Sequence, residues 1–300
     1  MVRRISKRWS PTLSLVALAY FAIHCSSNRA EFEAPADAGQ SGSFIAPVEA
    51  GADANADADA EVQPPEDCGS ENKVVYVVSP NPDAIYRFDP ETLQFTRLGY
   101  LDCLHAGSFS MAVDRKGFAW ILFSDGAMVK VRLDNLQCTQ IALRNKDSRL
   151  GLFGMGFAKD DSITGETLYL HKGYLLKVDP STLEVTSLGQ PVPAGGAELT
   201  GTGAGELFGY WPYNGTVSRI DKETGVNLET YRTSAVDAND WAFAQWGGDF
   251  WIFSRLDPAP SAKVTRFSPA SNESTVVVPD VGFRIVGAGV STCAPYLSPK

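Results

Sequence analysis

Histidine is scarce in this chain, three residues in 300, and the spacings that would make it chemical are missing. No His-x-x-x-His or Cys-x-x-Cys pair offers a metal site, and no Gly-x-Ser-x-Gly elbow presents a nucleophilic serine. After export of the protein, His105 and His171 remain, isolated from each other, and both are expected to be satisfied structural histidines. Ser108 and Ser110 lie near His105 in sequence, but proximity along the chain does not make a triad. The glycines Gly201-Thr-Gly203-Ala-Gly205 fall between strand-like runs and do not open a helix, so they are no phosphate loop. No cofactor motif is present, and no cofactor is expected.

A basic patch is missing too. The net charge is −9, with residues 1–25 contributing +4, residues 26–67 contributing −9 and the rest only −4. The acidity therefore sits in a tail-like stretch, and the mild negative balance of residues 68–300 speaks against a nucleic-acid partner. Long apolar runs are lacking: Leu13 to Ile23 is uncharged but too short for a typical membrane span. Behind Arg3, Arg4, Lys7 and Arg8, and followed by Cys25-Ser26-Ser27, it reads as an export signal over residues 1–24. The pattern resembles a bacterial lipoprotein signal in which Cys25 is diacylated, although Ala22 stands where Leu is usual and His24 where Gly or Ala is usual. Plain secretion and an uncleaved anchor are the alternatives. Setting Cys25 aside leaves Cys68, Cys103, Cys138 and Cys293, an even number suited to disulfides in an oxidising compartment.

Residues 25–67 are an Ala, Asp, Pro and Gly mixture with little to bury, so a disordered acidic linker is expected. Asp53, Asn55, Asp57 and Asp59 alternate as in a calcium loop, but Ala58 stands where that loop needs Gly and Pro64 where it needs Glu. A solvated spacer is the preferred reading.

What the sequence does have is a repeat. Tyr86-Arg87-Phe88-Asp89, Val131-Arg132-Leu133-Asp134, Leu176-Lys177-Val178-Asp179, Ser218-Arg219-Ile220-Asp221 and Thr265-Arg266-Phe267-Ser268 recur at steps of 45, 45, 42 and 47 residues. Each is followed by turn chemistry and a second strand-like run, and each of the later four is preceded by another strand pair. That period, with strands and no convincing amphipathic helix, predicts an all-β, five-bladed β-propeller of four-stranded blades over residues 68–300. The first unit starts at Lys73 and lacks an innermost strand, while the chain ends with a spare one, Phe283 to Ser291. Placing the spare strand in the first blade closes the ring and removes two exposed edges. It also puts Cys293 and Cys68 in one short connection, where they are expected to bond. Cys103 with Cys138 follows by default, although the strand directions put these two on opposite faces of the disc.

Several blocks resemble a family. Ser110-Met111-Ala112-Val113-Asp114-Arg115, Phe153-Gly154-Met155-Gly156-Phe157, Ala197 to Gly203, Trp246-Gly247-Gly248-Asp249-Phe250-Trp251 and Gly282 to Cys293 are similar, in order and without gaps, to uncharacterised lipoproteins of myxobacteria. The similarity spans about residues 68–295. It implies export and a lipid anchor, and the family carries no established activity to transfer. A looser resemblance to quinoprotein-dehydrogenase-like and YVTN-type propellers rests on the repeat alone, and a fold does not settle a function.

The basic residues Arg87, Arg132, Lys177, Arg219 and Arg266 recur once per blade, so pairing between neighbouring blades is preferred over an anion site. The segments entering the innermost strands converge on one mouth of the channel, where propellers hold ligands. Ser110, Glu198, Thr200, Asp240, Trp241 and Arg284 are the candidate ligand-binding residues there, suited to a small polar or sugar-like ligand. The alternative is that Trp241 packs between blades and Arg284 pairs with Asp240. The expectation is an exported, monomeric, lipid-anchored binding module for a small ligand or an envelope protein. An extracytoplasmic hydrolase or lactonase using acids at the mouth is the alternative, and a purely structural surface protein is a third.

Overall fold

The computed structural model describes residues 68–297 apart from 106, 148–149, 163 and 192–194. The expected export segment, the acidic linker, Cys25 and the calcium-like run lie outside the described residues. The described chain begins at Cys68 and, after a single 3-10 turn (Ser70–Lys73), enters β1 (Val75–Pro80), β2 (Asp83–Asp89) and β3 (Gln94–Tyr100). Four blades of four consecutive strands follow. The second is β4 (Ser108–Val113), β5 (Phe118–Phe123), β6 (Met128–Arg132) and β7 (Cys138–Ile141). The third is β8 (Gly154–Lys159), β9 (Glu166–His171), β10 (Tyr174–Val178) and β11 (Val185–Pro191). The fourth is β12 (Glu198–Gly201), β13 (Leu207–Trp211), β14 (Thr216–Ile220) and β15 (Asn227–Arg232). The fifth blade is β16 (Asp240–Trp246), β17 (Asp249–Arg255), β18 (Lys263–Ser268) and β19 (Glu273–Val278), and β20 (Gly287–Val290) ends the chain's strands.

β20 pairs antiparallel with β1, Val75 opposite Val290 and Val78 opposite Gly287, so the first sheet has the order β20-β1-β2-β3. The protein is thus a five-bladed β-propeller closed by its last strand. That strand is shorter than the run Phe283 to Ser291 suggested. Phe283 is drawn away into the groove between the first and fifth blades, stacked on Tyr86 at a 4.0 Å centroid distance and edge-on to Phe95. Pairing with β1 starts only after Val286, whose N–H donates to the Val78 carbonyl at 3.1 Å.

The repeated Asp is a turn device. The Asp89 carboxylate accepts the N–H groups of Glu91 and Thr92 at 2.9 and 3.3 Å. Asp179 does the same for Ser181 and Thr182, and Asp221 for Glu223 and Thr224. In all three the N–H of the fourth residue on, at Leu93, Leu183 and Gly225, returns to the Asp carbonyl at 2.8 Å. This is the local hydrogen bonding by which Asp competes for turns. The second blade is out of step: there the closing bond runs from Leu136 N–H to the Arg132 carbonyl, and Asp134 pairs with Arg132 instead.

Among the described residues there is no central core. Buried side chains fall into five clusters, one in each joint between neighbouring blades, for example Trp120 and Leu122 against Phe153, Met155 and Phe157. The innermost strands β4, β8, β12, β16 and β20 neighbour one another around the axis and back to the first. Their approach is close enough to need glycine. A Cβ on Gly154 would sit 1.9 Å from the Ala197 carbonyl oxygen, and one on Gly201 2.2 Å from that of Phe157.

Both disulfides form, Cys68–Cys293 with Cα atoms 5.6 Å apart and Cys103–Cys138 at 5.4 Å. The second was expected to span opposite faces. Twist removes the conflict: successive strands rotate by roughly 20–25° each, so the outermost strand of a blade runs steeply across the axis direction. The end of β3 before Cys103 then leans toward the start of β7, and a Cβ on Gly99 would meet Leu136 Cδ1 at 2.5 Å. The disulfides suggest an oxidising, extracytoplasmic environment.

The Cys68–Cys293 bridge closes a separation of 225 residues and Cys103–Cys138 one of 35. On the chain-entropy model the losses are about 5 and about 4 kcal/mol respectively, as upper bounds. In urea denaturation, the paired change Cys68→Ser with Cys293→Ser is therefore expected to lower stability more than Cys103→Ser with Cys138→Ser.

Candidate functional site

Every innermost strand begins on the same face, here called the upper face, and every connection into it arrives there. Two lobes of one cleft open on that face. The larger, about 420 Å³, is lined by Phe109, Leu152, Phe153, His171, Glu198 and Trp241 among others. The smaller, about 90 Å³, shares Phe109, Glu198 and Trp241 and adds Asn239, Asp240 and Val286. The strand starts put these residues there: Glu198 and Asp240 are the first residues of β12 and β16, and His171 is the last of β9, which runs the opposite way.

Glu198 is 3% exposed and forms the floor. Its Oε2 accepts the Ser110 hydroxyl at 2.8 Å, a bond from the second blade to the fourth across the channel axis. Burial pushes its carboxyl well above the ordinary range, against the opposing effect of hydrogen bonds from Ser110 and the Met155 N–H. No cation pairs with Glu198 among the described residues, so the neutral acid is the favoured form. Thr200, one pleat deeper, accepts the Gln245 N–H at 3.1 Å and ties β12 to the inner edge of β16.

His171 is 1% exposed, with its ring edge-on to Trp211 at 5.5 Å. It was expected to be a satisfied structural histidine, and it is not: among the described residues neither ring nitrogen has a hydrogen-bond partner. Burial lowers its pKa to about 4, so it is uncharged at neutral pH. An unmatched buried polar group of this kind costs about 1–3 kcal/mol. The signal in the sequence was positional. His171 closes a strand that ends at the mouth, a fact visible only once strand directions are assigned.

Asp240 and Arg284 do pair. Arg284 donates from Nε and Nη2 to the two Asp240 oxygens at 2.8 Å each, and Arg255 donates to Oδ2 as well. Burial alone would raise the Asp240 carboxyl, but the two guanidinium groups hold it below its ordinary value. Trp241 is half-buried and packs at the edge of the joint between the fourth and fifth blades while lining both lobes. Of the six candidates, then, Glu198, Asp240 and Trp241 line the cleft, Ser110 and Thr200 lie beneath it, and Arg284 neutralises its rim.

The lower end of the channel is stoppered. Glu166, 3% exposed, accepts the Arg115 N–H through Oε1 and the Thr292 hydroxyl through Oε2, each at 2.8 Å. A Cβ on Gly203 would lie 2.5 Å from the Thr292 carbonyl oxygen, so four blades meet at this point.

Elsewhere the chemistry disperses. His105 Nδ1 lies 2.7 Å from Asp125 Oδ2, whereas Ser108 donates to Asp83 and Ser110 to Glu198. Three of the five recurrent basic residues pair within their own blades and not with a neighbouring blade: Arg132 with Asp134, Arg219 with Glu206 and Glu229 at 3.7 and 3.9 Å, Arg266 with Asp249. The reason is their place on the third strand of each blade, where a carboxylate on an adjacent strand or in the following turn is nearer than the next blade. Among the described residues no group of three or more His, Cys, Asp or Glu converges as a metal site would require.

Solved structures similar to this chain are β-propeller proteins. A chain of a nidogen/laminin complex matches with a TM-score of 0.51 at 14% identity, over 79% of this chain and 87% of that one. Virginiamycin B lyase from Staphylococcus aureus matches at 0.41 and 15% identity, over 73% and 77%. A streptogramin B lyase matches at 0.42 and 16%, over 71% and 68%. At these identities the likeness concerns the fold alone. The chain matches no protein-family model, and no curated protein matches it in sequence.

Glu166 gives a pH dependence with a definite sign. Its pKa is raised from 4.5 to about 7, first by burial, so below pH 4.5 both folded and unfolded chains hold the proton and nothing changes. Between those values the unfolded chain ionises while the folded one does not, and stability falls as pH rises, by roughly 3 kcal/mol in all. Glu166→Gln cannot ionise. The difference in melting temperature between variant and wild type is expected to shift in favour of the variant from pH 4.5 to pH 8, as read by differential scanning calorimetry.

Proposed function

We propose that this protein is an exported, envelope-tethered β-propeller that binds a small ligand in the cleft on its upper face. The observation that carries the reading is a preformed cleft with apolar walls, floored by a buried carboxyl and flanked by a histidine with no hydrogen-bond partner among the described residues. Few convergent polar groups in an apolar hollow are what small-molecule sites present. The Arg284–Asp240 pair at the rim supports binding over catalysis by mouth acids, because it occupies the carboxylate that a hydrolase or lactonase would need free.

The tether is the part carried by sequence. A signal-like start, Cys25, the two disulfides of the domain and the resemblance to myxobacterial lipoproteins support diacylation of Cys25, with the acidic segment as spacer. Because β1 runs from the lower face to the upper, the chain arrives at Cys68 on the face opposite the cleft. A tether attached there leaves the mouth open to the surroundings. In this reading the protein acts as a monomer, without nucleic acid, and meets the membrane through the lipid alone.

Two measurements test this. Mass spectrometry of the mature protein is expected to find a diacylglyceryl group on Cys25, and an unmodified Cys25 would reject the anchor. A thermal-shift panel of sugars, peptides, lactones and aromatic amides on the full chain is expected to yield at least one stabilising compound. Its shift should vanish in Trp241→Ala and survive in Arg132→Ala, whose side chain is remote from the cleft; a flat panel rejects the binding reading.

A further inference from the structure

We infer that the cleft selects an uncharged, ring-bearing apolar ligand, and that Glu198 recognises it by donating a hydrogen bond from its carboxyl O–H to a carbonyl oxygen of the ligand. The inference rests on the cleft being the binding site and adds the chemistry of what enters it.

The walls set the first half. Phe109, Leu152, Phe153 and Trp241 line the larger lobe, and Phe109 and Trp241 continue into the smaller one, so a flat apolar body has aromatic surface along its length. The formal charges near the mouth are largely cancelled. Asp240 is matched by Arg284 and Arg255, Arg255 is matched again by Asp257, and among the described residues Lys172 at the rim is the one basic residue lining the larger lobe. A sugar would find few acceptors or amides here, and the apolar lining moves the expectation away from the small polar or sugar-like ligand that the sequence suggested. An anionic ligand would have to surrender its hydration against aromatic walls.

Glu198 sets the second half. It is buried, it faces both lobes, and among the described residues no cation is paired with it. A carboxyl so placed keeps its proton, as the upward push from burial also indicates. The groups that bond to it, the Ser110 hydroxyl and the Met155 N–H, are donors. A neutral carboxyl has one O–H to give: the Met155 N–H cannot accept it, and the Ser110 hydroxyl, as it is placed, gives its own proton to Oε2 and does not receive one. The acceptor is left for the cleft's occupant to supply. His171 is an independent pointer to the same place: a second uncharged group in the same wall, with both ring nitrogens unmatched among the described residues.

Three probes of one shape separate the claims: 2-acetonaphthone, 2-isopropylnaphthalene and 2-naphthoate, titrated calorimetrically into the full chain at pH 7. The ketone is expected to bind about tenfold tighter than the hydrocarbon, the scale of one net hydrogen bond, and the carboxylate weakest of the three. Glu198→Met, an apolar replacement of similar length, should bring the ketone down to the hydrocarbon, and Glu198→Gln, whose amide still donates, should keep the preference. Equal binding of ketone and hydrocarbon by the wild-type chain overturns the donor role whether or not the variants fold. Tightest binding of 2-naphthoate overturns the selection for uncharged ligands. If none of the three binds while a compound of another class passes the Trp241 test above, the ligand class is wrong and the cleft reading stands; if nothing passes that test, both fall.

Discussion

A sheet with two apolar faces must be covered on both, and this domain obeys that constraint by having each blade cover the next. Because the apolar side chains of the described residues gather in five joints and none at the centre, no blade is finished until its neighbours are present. The ring must therefore close, and the strand that closes it comes from the far end of the chain. Everything near the axis follows. The innermost strands are pressed together until glycine is required at Gly154 and Gly201, and polar side chains such as Thr200, Glu166 and Glu198 satisfy backbone N–H groups that a sheet edge would otherwise leave open.

The same constraint explains why the channel is not a pore. In a ring of five blades the axis is narrow enough for Ser110 to reach Glu198 from two blades away and for Thr292, Glu166 and Gly203 to meet below. Closing the axis turns its upper end into a hollow with a floor. Carboxyl groups that would be unremarkable on a surface are thereby enclosed, and enclosure gives Glu198 and Glu166 their proton affinity.

The architecture was legible because it is written locally. A turn Asp with its two N–H partners lies within four residues, its period counts the blades, and a missing strand at one end with a spare at the other implies closure. The site was legible only in part. Glu198, Asp240 and Trp241 could be placed at the mouth from strand direction alone, but the distinction between lining and supporting residues depends on bonds between positions 88 and 44 residues apart. His171 was passed over because its isolation along the chain says nothing of its partners in space. Strand twist was the other omission. Treating blades as flat put Cys103 and Cys138 on opposite faces, and the rotation from inner to outer strand brings them together.

Cys68 and Cys293 are also where mechanical load would enter. A pull arriving from the residues before Cys68 reaches a covalent bond to the end of the closing strand before it reaches the hydrogen bonds of β1. Tension is shared between two strands of one ladder and cannot unzip β1 from its end. The staple thus fixes the first point at which such a pull would be borne, on the face opposite the cleft.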